Sequence, residues 1–549
     1  MSAGLTADRR PLVSVNAVRA LGVVLLVLGV GVLAAAFRAV HLGTPSLWWD
    51  EIVEIDTATR PSDTLVGAIK WGSGRSRAGN AGAMPLDYVL LHLYRAGTPT
   101  PHPDRLEAYW RAPAFVYSVA AAVVVTMLLA RTAGIAAAAL GGTFLALSVP
   151  ATLYAAEVRP YSLLLLLGAA SLATAVDVAR PDAGRGAWAR FAAVGLLFLA
   201  AGMPAAPVLV AEGAAVLGLA LTRGHGRAAA RGLAVTAAIA GGALAAYWSG
   251  VAVSAGLGHP ESVSMTDALL QTCSFFLTGE PWHSWAIAVA LAFAGLALVH
   301  ARVRAARAVP LVTVALASFL ALPILIVLIN LKAYYFHVRH AFVLLPAFTV
   351  LVAVGAAGVV EASVRRGRAQ VAAAIVVGAG LALGPATSFV RDPYRYFHWT
   401  KTLHEWKPVV RETERLAAGE RVVLVAENRS RDDDRANYVG AWYVRRHGLA
   451  DRILFCATPN LALEDAVLKE SRRLNVLHLL DYGCTSLLEL TQPGEAAEER
   501  ARLDPFDSGT AGAPQPIRRW AFVAFRPPPP LPGMRAIPFP GLVFLAPAG

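Results

Sequence analysis

Charged residues are scarce in this sequence. Asp, Glu, Lys and Arg make up 16% of its 549 residues, and hydrophobic residues make up 56%. Soluble globular proteins carry roughly 25% charged residues, so the deficit excludes an ordinary soluble protein. Apolar runs replace the charges, and a helix needs about 20 such residues to cross a membrane. Four runs contain no charge at all: 112–130, 132–149, 232–258 and 341–360.

Cysteine is also scarce, which excludes a disulfide-dense scaffold. The three cysteines are Cys273, Cys456 and Cys484, and their spacing is not typical of a metal site. The last two could form a disulfide in an oxidising compartment, with free buried thiols as the alternative. The chain has no solenoid repeat, and it has no paired spans broken by Gly or Pro, the pattern typical of secondary transporters.

The basic residues indicate topology. The formal net charge is +12, but the arginines cluster in the short breaks between apolar runs, and such loops are cytoplasmic. With a cytoplasmic N-terminus, every second loop is basic. The charge is therefore no sign of a nucleic-acid partner. The predicted location is the cell (inner) membrane, with membrane lipid as a partner.

The apolar runs predict an α-helical polytopic membrane protein with about eleven transmembrane helices. The run 191–222 is too long for one span, so a break is placed near 202–207. The predicted spans are 18–37, 112–130, 132–149, 161–179, 190–203, 205–222, 232–252, 284–300, 309–330, 340–360 and 370–390.

The predicted domains are a membrane domain at 1–390 and an extracytoplasmic α/β domain at 391–549. External loops are placed at 38–111 and 253–283. In the tail, strands are predicted at 421–427, 452–456 and 475–480, with helices at 436–447 and 461–473. Strands that alternate with helices favour a parallel sheet. No glycine-rich phosphate loop follows any of these strands, so no nucleotide site is assigned.

The motif Ser46-Leu-Trp-Trp-Asp-Glu51 follows the first span. Adjacent acids near a bilayer are costly unless they are paired or functional. One interpretation is a carboxylate base that activates an acceptor hydroxyl. The other is an interfacial helix whose first turn carries Asp50 and Glu51 after Ser46.

This motif resembles the signature of membrane-embedded (GT-C-like) glycosyltransferases that use polyprenyl-phosphate sugars. The family includes the dolichyl-phosphate-mannose–protein mannosyltransferases and the bacterial aminoarabinose–lipid A transferases. In this family the first external loop carries an Asp-Glu pair, and its Asp is taken as the base. The resemblance implies that Asp50 is the catalytic base and that Glu51 supports it.

Three later segments resemble the family's motifs in the same order. The segment 84–94 resembles a Pro-Pro-Leu-Tyr-Tyr-type segment, although Met84 replaces one Pro and Asp87 a neutral residue. The segment 154–161 resembles a Tyr…Glu-x-Arg-x-Tyr turn. The segment 332–340, followed by Pro346, resembles an Arg-Tyr…Pro segment, with His340 where Tyr is more usual. The supporting residues implied are Tyr154, Glu157, Tyr161, Pro85, Asp87 and His340.

Three basic residues on the external side form the predicted phosphate site. Pro160 restricts Arg159 to extended geometry, which places Arg159 in a turn at the membrane face. Lys332 and Arg339 come from the same side, so the three cations could converge on a lipid phosphate. The alternatives are an ion pair between Glu157 and Arg159, and snorkelling of Lys332 and Arg339 to the headgroups.

A divalent metal is possible but not assigned. His259, Glu261, Glu280 and His283 could join the acids of the first loop, but their spacing is not diagnostic. The preferred function is an inverting glycosyltransferase that moves a sugar from a polyprenyl-phosphate donor to a glycan, lipid or protein acceptor. Two alternatives remain: a transporter or flippase of lipid-linked sugars, and a non-catalytic scaffold that presents the tail.

Overall fold

The computed structural model is mainly helical. It describes residues 15–59, 84–99, 101–202, 204–251, 264–303, 306–331, 337–366, 383–400, 404–417, 422–427, 431–449, 452–458, 485–486, 520–525, 534–540 and 542–547. The α-helices are Val15–Ala39 (α1), Trp49–Thr59 (α2), Pro85–Gly97 (α3), Leu106–Thr132 (α4), Ile135–Ala146 (α5), Val149–Ala155 (α6), Tyr161–Val178 (α7), Arg185–Ala201 (α8), Ala205–Thr222 (α9), Gly226–Val251 (α10), Met265–Thr278 (α11), Ala286–Val303 (α12), Val309–Phe319 (α13), Ala321–Leu331 (α14), Val338–Ala341 (α15), Leu345–Arg366 (α16), 383–391 (α17), Tyr394–Thr400 (α18), Trp406–Ala417 (α19) and Arg431–Arg446 (α20).

The helices confirm a multi-pass membrane protein. Within the described residues, 7 helices are long and apolar enough to span a membrane, or 8 if the bent pair α5–α6 is one span. The seven are Ala17–Ala39, Pro103–Thr132, Tyr161–Val178, Ala205–Thr222, Ala286–Val303, Val309–Val327 and Val338–Val364. The break predicted near 202–207 is present, because α8 ends at Ala201 and α9 begins at Ala205.

The predicted total of eleven spans stays a prediction. Helices α8 and α10 cover two of the predicted spans but are not among the seven. Most of the predicted span 370–390 lies outside the described residues.

Small residues bring the membrane helices into close contact. A Cβ added at Gly355 of α16 would lie 2.5 Å from the backbone oxygen of Phe293 in α12. Apolar surface alone does not drive helices together in lipid, so such close packing supplies the attraction. The Gly355 position therefore fixes how α12 and α16 cross within the bundle.

A buried arginine closes one end of this bundle. The Arg38 side chain is fully buried and donates to Ala146 O at 2.8 Å, Leu145 O at 3.0 Å and Ser118 Oγ at 2.7 Å. The last carbonyls of a helix have no partner within it, and Arg38 supplies one at the end of α5. This arrangement joins α1, α4 and α5 at the end of α1, where the segment that leads to α2 begins.

The tail contains a six-stranded mixed sheet. Its strands are Val422–Glu427 (β1), Ile453–Thr458 (β2), Thr485–Ser486 (β3), Trp520–Ala524 (β4), Met534–Phe539 (β5) and Leu542–Pro547 (β6), in the order β3-β2-β1-β4-β6-β5. β1 is parallel to β2 and β4, as the alternation of strands and helices predicts, and the other pairs are antiparallel. The sequence analysis did not predict β5 and β6, which are antiparallel because only two residues separate them, too few for a parallel crossover.

Parts of the predicted tail cannot be compared with the structure. The predicted strand 475–480, the helix 461–473 and Cys484 lie outside the described residues, so the Cys456–Cys484 disulfide stays a prediction. Cys273 is a free, buried cysteine in α11.

The tail packs directly on the loop that follows α1. One apolar core includes Leu47, Ile52 and Ile55 from the loop together with Trp406 of α19 and Trp442 of α20. All five side chains are buried. A shared core of this kind fixes the tail against α2, the helix that carries the adjacent acids.

Candidate active site

Helix α2 is held by its packing. Its sequence Trp-Asp-Glu-Ile-Val-Glu-Ile-Asp-Thr-Ala-Thr is only 11 residues long, and isolated helices of this length are marginal in water. Ile52 and Ile55 are fully buried on the inner side. Asp50 and Glu54 are four residues apart and therefore share another face. The two acids in the first turn interact favourably with the positive, N-terminal end of the helix dipole.

Glu51 anchors the start of this helix. Its carboxylate accepts two hydrogen bonds from Arg111 of α4, each 2.9 Å long, and a third from the Val158 backbone N–H at 2.9 Å. It also accepts from the Trp48 N–H at 3.1 Å, as the third helical residue of a capping box does. Both Asp50 and Glu51 lie in the first turn of α2, as the first-turn interpretation predicts, and Glu51 is the one that caps the helix.

Asp50 lies between two predicted phosphate-binding arginines. The Asp50 Oδ2 atom is 3.7 Å from Arg339 Nη1 and 4.0 Å from Arg159 Nη2. Both contacts are longer than a good hydrogen bond. The Asp50 side chain is 19% exposed, whereas that of Glu51 is 0% exposed. Of the two adjacent acids, Asp50 is thus the one that a substrate can reach.

Glu54 fixes Arg159 from the inner side. Its Oε2 atom accepts from Arg159 Nη1 at 3.0 Å and from the Tyr88 hydroxyl at 2.9 Å. Asp87 of α3 lies beside this carboxylate. Burial raises the pKa of Glu54, and the Arg159 guanidinium opposes that shift. Burial also raises the pKa of Asp87, with the Glu54 charge adding to the increase. Asp87 therefore keeps its proton to a higher pH than a free carboxyl does.

The other predicted residues either lie around Asp50 and its two arginines or fall outside the described residues. Tyr154 is fully buried, with its ring centroid 4.8 Å from that of Tyr161 and 4.5 Å from that of Phe342. The Arg159 guanidinium lies 5.9 Å from the centroid of Tyr161. The rings of Tyr154, Tyr161 and Phe342 therefore form an aromatic cluster that contacts Arg159 through Tyr161.

Three further predicted residues shape the backbone near the centre. Glu157 is fully buried, and its carbonyl accepts from the Arg159 N–H at 2.9 Å. Pro85 opens α3, a position that favours proline. His340 Nδ1 accepts from the His337 N–H at 3.2 Å. Lys332 lies outside the described residues, so its place in the phosphate site stays a prediction.

The sequence analysis missed Glu54 and Arg111. Glu54 follows Asp50 at helical spacing, which is a signal that both could act on one face. Arg111 directly precedes the charge-free run 112–130, and an ionisable residue at that depth marks a paired or functional position. The predicted span began one residue too late to include it.

Two of the possible metal ligands have other partners. Glu280 Oε1 lies 2.6 Å from Arg395 Nε, and Glu280 Oε2 lies 3.9 Å from His283 Nε2. His259 and Glu261 lie outside the described residues. Within the part of the chain that the structure covers, His, Cys, Asp and Glu form no group of three suited to a metal ion.

Two solved structures are similar to this chain over nearly its whole length. ArnT from Cupriavidus metallidurans in the apo state is 15% identical, with 96% of this chain and 98% of that chain covered and a TM-score of 0.47. ArnT bound to undecaprenyl phosphate is 14% identical, with 95% and 97% covered and a TM-score of 0.47. The likeness to both structures concerns the fold alone.

No protein-family profile and no curated protein matches the chain. At this identity and TM-score the likeness gives no activity for this chain.

Proposed function

We propose that this protein is an inverting glycosyltransferase that transfers a sugar from a polyprenyl-phosphate donor to an acceptor hydroxyl on the extracytoplasmic face. The observation that carries the proposal is the position of Asp50. Its carboxylate lies within 4.0 Å of Arg159 and Arg339, which come from different segments. A base and an anion site are thus adjacent at the end of the membrane bundle.

The chemistry assigns Asp50 as the catalytic base. Its carboxylate takes the proton of an acceptor hydroxyl while the hydroxyl oxygen attacks the anomeric carbon of the donor. A new carbon–oxygen bond forms on one face of the sugar, and the bond to the phosphate oxygen breaks on the other. The bonding electrons leave with the polyprenyl phosphate, so the configuration at the anomeric carbon inverts.

Arg159 and Arg339 would stabilise the leaving group. A guanidinium presents donors in a fixed fork that matches phosphate oxygens. The side chains of Arg159 and Arg339 are 15% and 11% exposed, and such partly buried cations are screened less than surface ones. Negative charge that develops on the phosphate is then stabilised by groups already in position. Lys332 remains the third proposed member of this site.

Glu51, Glu54 and Arg111 would act as positioning residues. Glu51 and Arg111 fix the N-terminal turn of α2, and Glu54 fixes Arg159. Glu54 and Arg159 form a buried pair that also lies close to Asp50. The position of the base relative to the anion site is therefore set before substrate binds. Groups that are already oriented in this way contribute to the rate.

The test is release of free polyprenyl phosphate by the purified full-length protein. A panel of undecaprenyl-phosphate sugars is supplied with a mixed acceptor extract, and the wild type is compared with Asp50→Asn. Release by the wild type that Asp50→Asn loses supports the proposal. Equal release by both proteins removes Asp50 as the base.

The same proteins in proteoliposomes test the transporter alternative. A flippase would move a fluorescent lipid-linked sugar across the bilayer without releasing polyprenyl phosphate, and it would do so in Asp50→Asn as well. Such a result would replace the transferase with a transporter.

A further inference from the structure

A small pocket lies beside Asp50, between α2 and the tail. It has a volume of about 50 Å³. Helix α2 and the residue before it contribute Trp48, Trp49 and Asp50, and the tail contributes His404, Arg435, Ala436 and Val439. The tail therefore forms one wall of a cavity that reaches the proposed base.

The tail wall is held in place by hydrogen bonds to α2. Asp56 accepts from the Tyr438 hydroxyl at 2.7 Å and from Trp442 Nε1 at 3.2 Å. Arg446 Nη2 lies 3.6 Å from the same carboxylate. These contacts all come from α20, the helix that carries Arg435. Because these contacts join α20 to α2, the fold sets the distance from Arg435 to Asp50.

Arg435 and Trp49 form a flat surface in this pocket. The Arg435 guanidinium carbon lies 4.9 Å from the centroid of the Trp49 ring, which is within the range of a cation–π contact. Stacking uses the face of the guanidinium, whereas its five N–H donors lie at the edge. A planar donor edge suits the hydroxyls around the rim of a sugar ring.

We propose that this cavity, the acceptor pocket, binds the hydroxyl-bearing edge of a saccharide acceptor, with Arg435 as its contact from the tail. The inference rests on the proposed function and names its acceptor class. A cavity needs about 10–15 Å³ to hold one water, so a volume of about 50 Å³ admits a hydroxymethyl group or one hydroxyl-bearing edge of a ring. An acyl chain would need an apolar lining, whereas this lining includes Asp50, His404 and Arg435.

The binding test uses saturation-transfer NMR on the full-length protein in nanodiscs. The probes are methyl glycosides of glucose, galactose, mannose and arabinose, and the rivals are an acetylated Ser/Thr peptide and glycerophosphoglycerol. We expect a methyl glycoside to bind the wild type and Arg435→Ala to weaken that binding about tenfold or more, the effect of losing a charged hydrogen bond. Arg445→Ala, on the same helix but outside the pocket lining, should bind as the wild type does.

Two measurements separate a contact from a structural role. Arg435→Lys keeps the charge but loses the planar fork, so we expect it to bind the glycoside more weakly than the wild type while its thermal unfolding midpoint is unchanged. Glycoside binding that Arg435→Ala leaves unchanged would overturn the acceptor pocket. The acceptor pocket would also be overturned if no methyl glycoside binds the wild type, or if only the peptide or the glycerophosphoglycerol does.

The release assay on the same preparations separates this inference from the proposed function. Glycoside binding that depends on Arg435, without release of polyprenyl phosphate from any donor, would leave the pocket and remove the transferase. Release of polyprenyl phosphate without Arg435-dependent binding would leave the transferase and remove the pocket.

Discussion

Glu51 and Arg111 are joined by two hydrogen bonds of 2.9 Å, and both side chains are 0% exposed. Asp50, the residue before Glu51, instead lies near Arg159 and Arg339. Adjacent acids of one motif thus have different partners. One carboxylate fixes the helix, and the other faces the proposed substrate site.

Removing Glu51 should therefore affect folding first. Glu51→Ala leaves Arg111 as a buried charge without its partner, which costs about 3–5 kcal/mol. We expect a lower thermal unfolding midpoint and a lower yield of folded protein, measured in detergent by intrinsic fluorescence. Asp50→Asn is the matched control at the neighbouring position and should unfold as the wild type does. A Glu51→Ala protein of normal stability would show that the pair does not hold α2.

The two arginines should differ in what their removal does. Arg339→Ala is expected to raise the KM for the polyprenyl-phosphate sugar about tenfold or more, because a charged contact to the phosphate is lost. Arg159→Ala should raise the same KM and also lower the stability, since Glu54 stays buried without its cation. Steady-state kinetics and thermal unfolding together make the comparison. Arg180, an exposed cation on the opposite side of the bundle, provides the control variant Arg180→Ala. Equal KM values for the donor in Arg159→Ala, Arg339→Ala and Arg180→Ala would contradict the anion site.

Asp87 should make the stability depend on pH. Burial raises the pKa of this carboxyl in the folded protein. Its stabilising contribution is therefore fully present below the unfolded-state pKa of about 3.9, and it is lost as pH rises through the folded-state pKa. We expect Asp87→Asn to flatten the fall in unfolding midpoint over that range.

Asp104→Asn is the opposite control for this effect. A hydrogen bond from Arg411 lowers the pKa of Asp104, so its contribution is present above the unfolded-state pKa and lost at acid pH. An Asp87→Asn profile that parallels the wild type across the whole pH range would show that Asp87 does not titrate as proposed.

Tyr443 joins the tail to the start of α2. Its hydroxyl accepts from the Leu47 N–H at 2.7 Å and donates to Glu107 Oε1 at 2.8 Å. Tyr443→Phe leaves the buried Leu47 N–H unsatisfied, at a cost of about 1–3 kcal/mol, and removes one donor from Glu107, which keeps its ion pair with Lys407 at 2.6 Å. We expect a lower unfolding midpoint and faster proteolysis of the tail. Glu414→Gln, which alters a half-exposed ion pair elsewhere in the tail, should change neither.

Part of this site could be predicted from the sequence. Asp50 and Arg159 stand in short segments at the external ends of apolar runs, so topology alone places them on the same face. Arg339 opens a late span on that side. The structure brings these three residues together, while their catalytic roles stay predictions.

The rest depends on contacts between distant segments. The Ser46 hydroxyl donates to Glu405 Oε2 at 2.8 Å across 359 residues, and no local pattern encodes such a pair. Glu51 shows the same limit, because its role depends on Arg111, 60 residues later. The C-terminal strands β5 and β6 were missed as well, because they pair as a hairpin and do not alternate with helices.

The most direct test of Asp50 as the catalytic base is a single-turnover measurement of sugar transfer. Wild type and Asp50→Asn are each loaded with a radiolabelled undecaprenyl-phosphate sugar identified by the release assay, and an acceptor extract is then added. General-base catalysis contributes about a hundredfold or more, so we predict that both proteins retain bound donor and that Asp50→Asn transfers the sugar at least about a hundredfold more slowly. Transfer by Asp50→Asn at the wild-type rate would contradict the assignment of Asp50 as the base.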